Sequence, residues 1–531
     1  MKKRILILGA GIMQGPAIRF AKERGLEAVV VDGDPGAACA KEADRFERID
    51  LKDKQGIEAF ARSLRSDGGL DGVMTAGTDF SATVAWVAER LGLPGIPYEA
   101  ALDASDKARM RARFRAAGVP SPEFVVVSDI PAADWRMPFP YPAVVKPVDN
   151  MGSRGCRRVD DGEGLREAVA DALRYSRSGR VIVEEFMEGP EFSVDSLVHE
   201  GRITICGLAD RHIFFPPYFI EMGHTMPTDL SAEKSAELLA VFERGVQALG
   251  IRNGAAKGDV KLTPKGPMIG EIAARLSGGY MSGWTYPYAS GVEPTKGAIS
   301  IAIGEAPSGL APTRDWTCTE RAFISIPGIV AEISGASEAK SAEGVRDVFF
   351  RAAPGSVVSF PENNVTKCGN VIAAAPKRDD AIRCAESAAR AILIRLRPRV
   401  PETDAFLSGG PRGPGSFPPD SFCLTDLKSL EAIPAGTRDE ASAGSLSRQE
   451  LAELTLVPFD SLLSSASRDY VGRTAVESLD LVRRLAGIPL AIRDEAGISG
   501  SLGRRFWEFF VRGGYQGALY FIDSLSGRAS H

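Results

Sequence analysis

Lys257-Gly-Asp259-Val-Lys-Leu, a turn at Thr263–Pro267, and Met268-Ile-Gly-Glu271-Ile-Ala273-Ala-Arg275-Leu-Ser277-Gly278-Gly279 form the most informative stretch of this chain. Two short apolar runs on either side of a Pro/Gly turn predict a β-hairpin. Asp259 and Glu271 lie toward the far ends of its two strands and can face each other across it. Two carboxylates directly opposite repel. A hard cation removes that repulsion, and Mg2+ favours one or two protein carboxylates together with phosphate oxygens. The pair therefore reads as a Mg2+–nucleotide site. Arg275, four residues past Glu271, is placed to grip a carboxylate or phosphate with its planar fork.

The segments upstream supply matching chemistry. Residues 181–195 read Val-Ile-Val-Glu184-Glu185-Phe186-Met187-Glu188-Gly189-Pro190-Glu191-Phe-Ser-Val-Asp195, a strand, a short linker and a second strand. Four carboxylates crowd into eight residues there. Strand-end charges facing solvent explain any one of them; a ligand donating hydrogen bonds explains the cluster. Earlier, strand Pro142–Pro147 carries Lys146 near its end, and the loop Gly152-Ser153-Arg154-Gly155 leads into strand Cys156–Val159. Backbone N–H groups of such a loop can cradle phosphate oxygens while the lysine supplies a point charge. A plain hairpin is the alternative, and no G-x-x-x-x-G-K-[ST] loop occurs. Asp103-Ala-Ser-Asp-Lys107 opens a helix that Ser105 or Asp103 can cap and that stops at Gly118 and Pro120. Lys107 in its first turn opposes the helix dipole, so another partner has to hold it.

The first hundred residues alternate strands and helices, which predicts a parallel sheet with right-handed crossovers. Gly9-Ala-Gly11-Ile-Met-Gln-Gly15 follows the first strand and Asp32 ends the second. The spacing departs from G-x-G-x-x-G at the third glycine. It serves either as a tight turn for close helix packing or as a phosphate contact at a helix N-terminus. Strand Leu70–Thr75 runs into Ala76-Gly77-Thr78-Asp79, where Thr78 and Asp79 are either substrate contacts or helix caps.

Composition narrows the partners. Of 531 residues, 64 are Lys or Arg and 69 Asp or Glu, a net charge of −5. A slightly acidic chain without a basic block argues against nucleic acid and anionic membranes. No apolar run approaches the ~20 residues that span a bilayer. Seven scattered cysteines form no CxxC pair and suit a reducing cytoplasm. Four histidines argue against a His-based zinc site as the basis for chemistry, leaving carboxylates, Lys, Arg and backbone amides.

The order of these motifs resembles the ATP-grasp superfamily of carboxylate–amine ligases over about residues 1–400, and most of all the branch holding L-amino acid ligases, biotin carboxylase, carbamoyl-phosphate synthetase and the purine-pathway ligases. The resemblance implies an α/β and α+β multidomain fold. It comprises a Rossmann-like domain (1–103), an ATP-grasp core of two α+β lobes (104–308), and a small β-rich domain (309–400). Strands are expected at 322–326, 329–333, 357–360 and 369–374, and a helix from about 380 to 395. It further implies ATP and Mg2+ (with Mn2+ as a substitute), small carboxylate and amine substrates, and no nucleic acid or membrane partner. Lys107 and Lys146 would contact ATP phosphates under the loop Gly152, Ser153, Arg154 and Gly155. Glu184 would accept from the adenine amino group, with Glu185, Phe186 and Met187 at the hinge; Glu191 would hold the ribose. Lys257 would join the nucleotide contacts, Asp259 and Glu271 would ligate Mg2+, and Arg275 would steady the acyl phosphate. Glu221 and His224 in the segment 216–227 resemble the loop bordering the acyl substrate. One departure matters: the family's E-x-N becomes Glu271-Ile-Ala273, which removes an amide from the second metal position.

Residues 277–288, rich in aromatics, line a second-substrate pocket or pack against the rest of the chain. Residues 408–419, ten of them Gly, Pro or Ser, read as a linker. Beyond, Ala475–Ala486 has helical periodicity, and 506–511 and 520–522 are strongly apolar. The tail 401–531 is a small module, a cover for the core, or an oligomer interface such as a homodimer's. Three rivals to the ligase remain open: a carbamoyl-phosphate- or purine-type enzyme, an ATP-binding sensor or assembly module without turnover, and a nicotinamide-dependent oxidoreductase built on Gly9–Asp32.

Overall fold

A computed structural model describes residues 2–424, 426–440, 444, 446–493 and 500–526. Two compact units emerge: one of residues 1–213, 223–320 and 373–382, the other of residues 214–222, 321–372 and 383–531.

In the first unit, the opening βαβ pattern forms a parallel sheet in the order Arg45–Arg48, Glu27–Asp32, Arg4–Leu8, Gly72–Thr75. Its central strands are continuous apolar runs because helices cover both faces. The glycine turn closes on its own residues. Asp32 accepts from the N–H of Ala10 (2.8 Å) and Asp34 (2.9 Å). A side chain at Gly9 would come within 3.0 Å of Gln14, whose amide bonds the carbonyl of Ala76. The room that the glycines leave is taken by Gln14, so the turn reads as packing and offers the oxidoreductase alternative no cradle.

Two lobes follow. The smaller is an antiparallel sheet in the order Phe124–Val127, Val181–Glu185, Ala143–Pro147, Arg157–Val159, backed by helix Gly162–Tyr175. The larger is built on strands Gly266–Ala273, Gly254–Thr263, Glu191–His199 and Arg202–Phe214, neighbours in that order, with helix Ala232–Ala248 on one side. The expected helix at 103–118 is two helices, Tyr98–Ser105 and Lys107–Ala116. Asp106, not Ser105 or Asp103, caps the second, accepting from Ala108 and Arg109 N–H at 2.9 and 3.1 Å. Such a cap contributes about 1 kcal/mol. Asp103 instead accepts from Arg109 (2.7 Å) and Arg113 (2.6 Å). Thr78 and Asp79 cap nothing either: the following helix, Ser81–Leu91, starts after Phe80 without a side-chain cap.

The second unit departs most from expectation. Besides Gly328–Ser334, Val357–Val358 and Gly369–Ala375, it holds strands Val345–Phe350 and Leu393–Leu396. The helix expected to reach Arg395 ends at Ala391. Residue 400 is no break in packing. One apolar core runs from Phe323 and Val330 to Phe506, Trp507 and Leu525. Both apolar tail segments lie on a single helix, Arg504–Leu525, interrupted at Gly514. The Gly/Pro-rich stretch is anchored rather than loose: Asp420 accepts from the N–H groups of Arg412 and Gly413, each at 2.9 Å, and Phe417 packs on Tyr218 and Phe360. None of the seven cysteines forms a disulfide among the described residues. No helix among the described residues is long and apolar enough to cross a membrane.

Candidate active site

Register places the chemistry. Residues directly opposite on paired strands share a face, and alternate residues along one strand do too. Glu191, Ser193 and Asp195 sit opposite Lys261, Asp259 and Lys257. On the hairpin's other strand, Asp259 sits opposite Glu271 and Lys257 opposite Ala273. One face of three strands therefore carries four carboxylates and two lysines. Arg211, opposite Glu191, adds a third cation. A bulge at Asp259/Val260 leaves Gly270 as the extra residue.

The ion pairs follow from this grid. Glu191 bonds Arg211 and lies 3.9 Å from Lys261. Asp259 is held by Lys257, by Ser193 Oγ (2.9 Å) and by Arg211 (3.0 Å). Glu271 faces Lys107 at 3.7 Å. Burial alone would raise the Glu271 carboxyl, and Asp259 adds to that, yet Lys107, Lys146 and Lys257 together hold it below the usual carboxylate range. Lys107, set against the helix dipole, also donates to the carbonyl of Asn150 at 2.7 Å.

The smaller lobe presents Lys146. Its ammonium lies 2.6 Å from Glu184, which Arg111 also holds at 2.8 Å. Glu184 and Arg111 are almost fully buried (2 % and 0 % exposed). Burial pushes the Glu184 carboxyl up, but Arg111 and Lys146 outweigh it and keep it ionised. Both oxygens of Glu184 engage cations, Arg111 on one and Lys146 on the other, so Glu184 fixes Lys146 from beneath. Arg111 also donates to the carbonyl of Gly270 (2.6 Å), joining this network to the hairpin bulge. Arg111, like Arg211 on the neighbouring sheet, is a residue that sequence reading missed. Its partner lies 73 positions away, and only its place on the buried face of a helix signalled it.

Around these groups, Gly152, Ser153 and Gly155 have positive φ, turning successive N–H groups in a nest-like loop. Arg154 donates to the carbonyl of Met151 (3.0 Å). Glu185 is paired with Lys265 (2.6 Å). The Phe186 N–H bonds Pro142 O (3.1 Å), its ring faces Arg158 and Lys261, and Met187 O accepts from Lys261 (3.0 Å).

Arg275 Nη1 bonds Leu276 O (3.0 Å), while its Nε has no hydrogen-bond partner among the described residues. The turn beyond rests on buried Asp195, which accepts from Ser277 N–H (3.3 Å) and Ser282 Oγ (3.5 Å). Ala76 bridges Leu276, and a side chain on Gly77 would come within 3.2 Å of Gly278. The loop bearing Thr78 and Asp79 thus adjoins the Arg275 turn. In that aromatic segment Tyr280 packs on Trp284 and Tyr286 is fully buried.

His224 is not on a loop. It lies in strand Ile220–Met226, nearly fully buried, its Nδ1 2.9 Å from Glu320. Glu221, three residues earlier on that strand, has its N–H on Asn364 (2.8 Å) and its carbonyl on Lys367 (2.6 Å).

The oxygen donors suit Mg2+. Asp259 and Glu271 are paired carboxylates on a face ringed by lysines, the setting in which Mg2+ arrives with phosphates. They suit one ion better than two. The next same-face position after Glu271 is Ala273, which offers no oxygen from its side chain.

Comparison with known proteins agrees with this arrangement. Residues 18–95 match the ATP-grasp N-terminal domain, 139–283 the ATP-grasp domain, and 322–397 the L-amino acid ligase C-terminal domain 2. An uncharacterized protein, y4rH, of Sinorhizobium fredii is 27 % identical over 409 residues, 75 % of this chain and 84 % of that one. Carnosine synthase 1 of Gallus gallus is 28 % identical over 331 residues, 57 % of this chain but only 36 % of that protein's length. The crystal structure of L-amino acid ligase from Bacillus licheniformis superposes with a TM-score of 0.66 over 75 % of this chain and 99 % of that one, at 22 % identity. In chain order the matches are an ATP-grasp N-terminal domain, an ATP-grasp domain and an L-amino acid ligase C-terminal domain, and the fold is shared with the L-amino acid ligase structure.

Proposed function

We propose that the chain is an ATP-dependent ligase that activates a small carboxylate, an amino acid, as an acyl phosphate and joins it to an amine. The observation that carries this reading is the Asp259–Glu271 pair flanked by Lys107, Lys146, Lys257 and Arg211. Such a site positions polyphosphate and absorbs its charge, which is most of what phosphoryl transfer asks of a protein. The substrate carboxylate attacks the γ-phosphoryl and ADP leaves. The amine then attacks the acyl carbon and phosphate leaves. Lys107 and Lys146 hold phosphate oxygens, with Lys146 aimed by Glu184. Asp259 and Glu271 hold Mg2+, which neutralises charge on the transferring phosphoryl when bound. Arg275 steadies the acyl phosphate, and Asp195 holds the turn behind it. No protein nucleophile is needed. The L-amino acid ligase C-terminal domain and the similarity to carnosine synthase 1 favour an amino acid as carboxylate donor.

The test is phosphate release from ATP across pairs of amino acids and small carboxylates. Stimulation by a specific pair supports the reading. ATP binding without stimulation by any of them supports the second reading, an ATP-binding module without turnover, which Ala273 favours by thinning the metal site.

A further inference from the structure

The row beside the metal carboxylates is Asp195, Lys257, Ala273, three residues in register on adjacent strands. Lys257 is 14 % exposed and its ammonium bonds Asp259, one of the two metal carboxylates. Asp195, in register with it on the neighbouring strand, also attracts it. Ala273 contributes a buried methyl where a second ion would need an oxygen ligand. A divalent ion placed there would meet an ammonium instead of a donor, and two such charges a few ångströms apart repel strongly in a partly buried site. We propose that Lys257 occupies the place of a second divalent cation, so that the site works with a single Mg2+ and a built-in ammonium on the nucleotide's phosphates. The inference rests on the ATP-ligase reading and adds to it a metal count and a residue that replaces the missing ion.

The test counts metal, not turnover. The full-length protein is saturated with a non-hydrolysable ATP analogue and Mn2+, and bound Mn2+ per bound nucleotide is measured by electron paramagnetic resonance after equilibrium dialysis. One Mn2+ per nucleotide is expected; two in the wild type overturn the proposal outright. Lys257→Met should weaken analogue binding about 10–100-fold, the loss of a charge-assisted contact, and unchanged affinity would remove the lysine's role. Lys257→Met combined with Ala273→Asn should raise the count to two; a count that stays at one overturns the assignment to these positions. Circular dichroism checks that both variants fold, and the wild-type count stands without them. A wild type that binds no nucleotide at all sinks the ATP reading and this inference together, whereas two Mn2+ sinks the inference alone.

Discussion

Glu184 in the first unit and Asp420 in the second are both carboxylates sunk out of solvent beside an arginine, Arg111 and Arg512, each 0 % exposed. Their other partners differ. Glu184 shares its charge with Lys146, a side chain still 13 % exposed at the root of a glycine loop. Asp420 takes two backbone N–H groups, while Arg512 donates to Pro418 O (2.7 Å) and lies 4.1 Å over the Phe406 ring. The second pair ties an irregular Gly/Pro-rich segment to a helix and ends there. The first presents a cation at the edge of a charged face. Burial of charge is therefore no sign of function by itself; what marks the site is a buried carboxylate spent on aiming a lysine outward.

Glu184→Gln tests that contrast hardest. It leaves the guanidinium of Arg111 buried without a counter-charge, which should cost about 3–5 kcal/mol in urea unfolding. It should also loosen Lys146 and weaken ATP binding. The pH dependence has a definite sign. Arg111 and Lys146 hold the Glu184 carboxyl below its unfolded value despite burial, so its stabilisation is complete above about pH 4.3. It disappears as the pH falls through the lower folded-state value. The wild type's advantage over the variant should shrink only in that acid range; an advantage growing toward acid would contradict the ionised network.

Glu271→Gln should cut phosphate release by roughly 10²–10³-fold while the melting temperature hardly moves, because Glu271 is partly exposed and its ion pair with Lys107 spans 3.7 Å. Full turnover in this variant would remove the chemistry from the hairpin. Arg512→Met should cost about 3 kcal/mol, the low end for a broken buried pair, since the N–H groups of Arg412 and Gly413 still serve Asp420. ATP-analogue affinity should stay within about twofold, because the contacts of Arg512, with Asp420, Pro418 and Phe406, include none of the residues assigned to the nucleotide.

The hairpin shows why so much of the first unit was legible. The turn brings Asp259 and Glu271 to the far ends of the hairpin, the bulge at Gly270 sets them directly opposite, and the motifs on the flanking strands fall in register with them. The burial of Glu184 was not legible because it depends on Arg111, from a helix 73 residues earlier, and no local pattern encodes that meeting. His224 was misread as a loop residue because its partner, Glu320, lies 96 positions on. Strand Leu393–Leu396 was hidden because helix Arg378–Ala391 passes into it without a Gly or Pro stop signal. The tail's apolar blocks looked separate because helix Arg504–Leu525 is buried nearly all round, and a helix without a polar face has no amphipathic stripe to read.

The smallest effect bears on the rim of the site. Lys265, 69 % exposed, pairs with Glu185 at 2.6 Å, next in sequence to Phe186 and Met187. Its geometry matches that of the Lys146–Glu184 pair, also 2.6 Å, but its surroundings do not. In water a long side chain loses rotamer freedom to hold such a bond, and the attraction is screened. Lys265→Ala should therefore change unfolding free energy by less than about 0.5 kcal/mol, with a difference that vanishes in high salt. If the loss instead approached that of Glu184→Gln, distance rather than burial would be governing these pairs, and the contrast between a presenting network and an ordinary surface bridge would not hold.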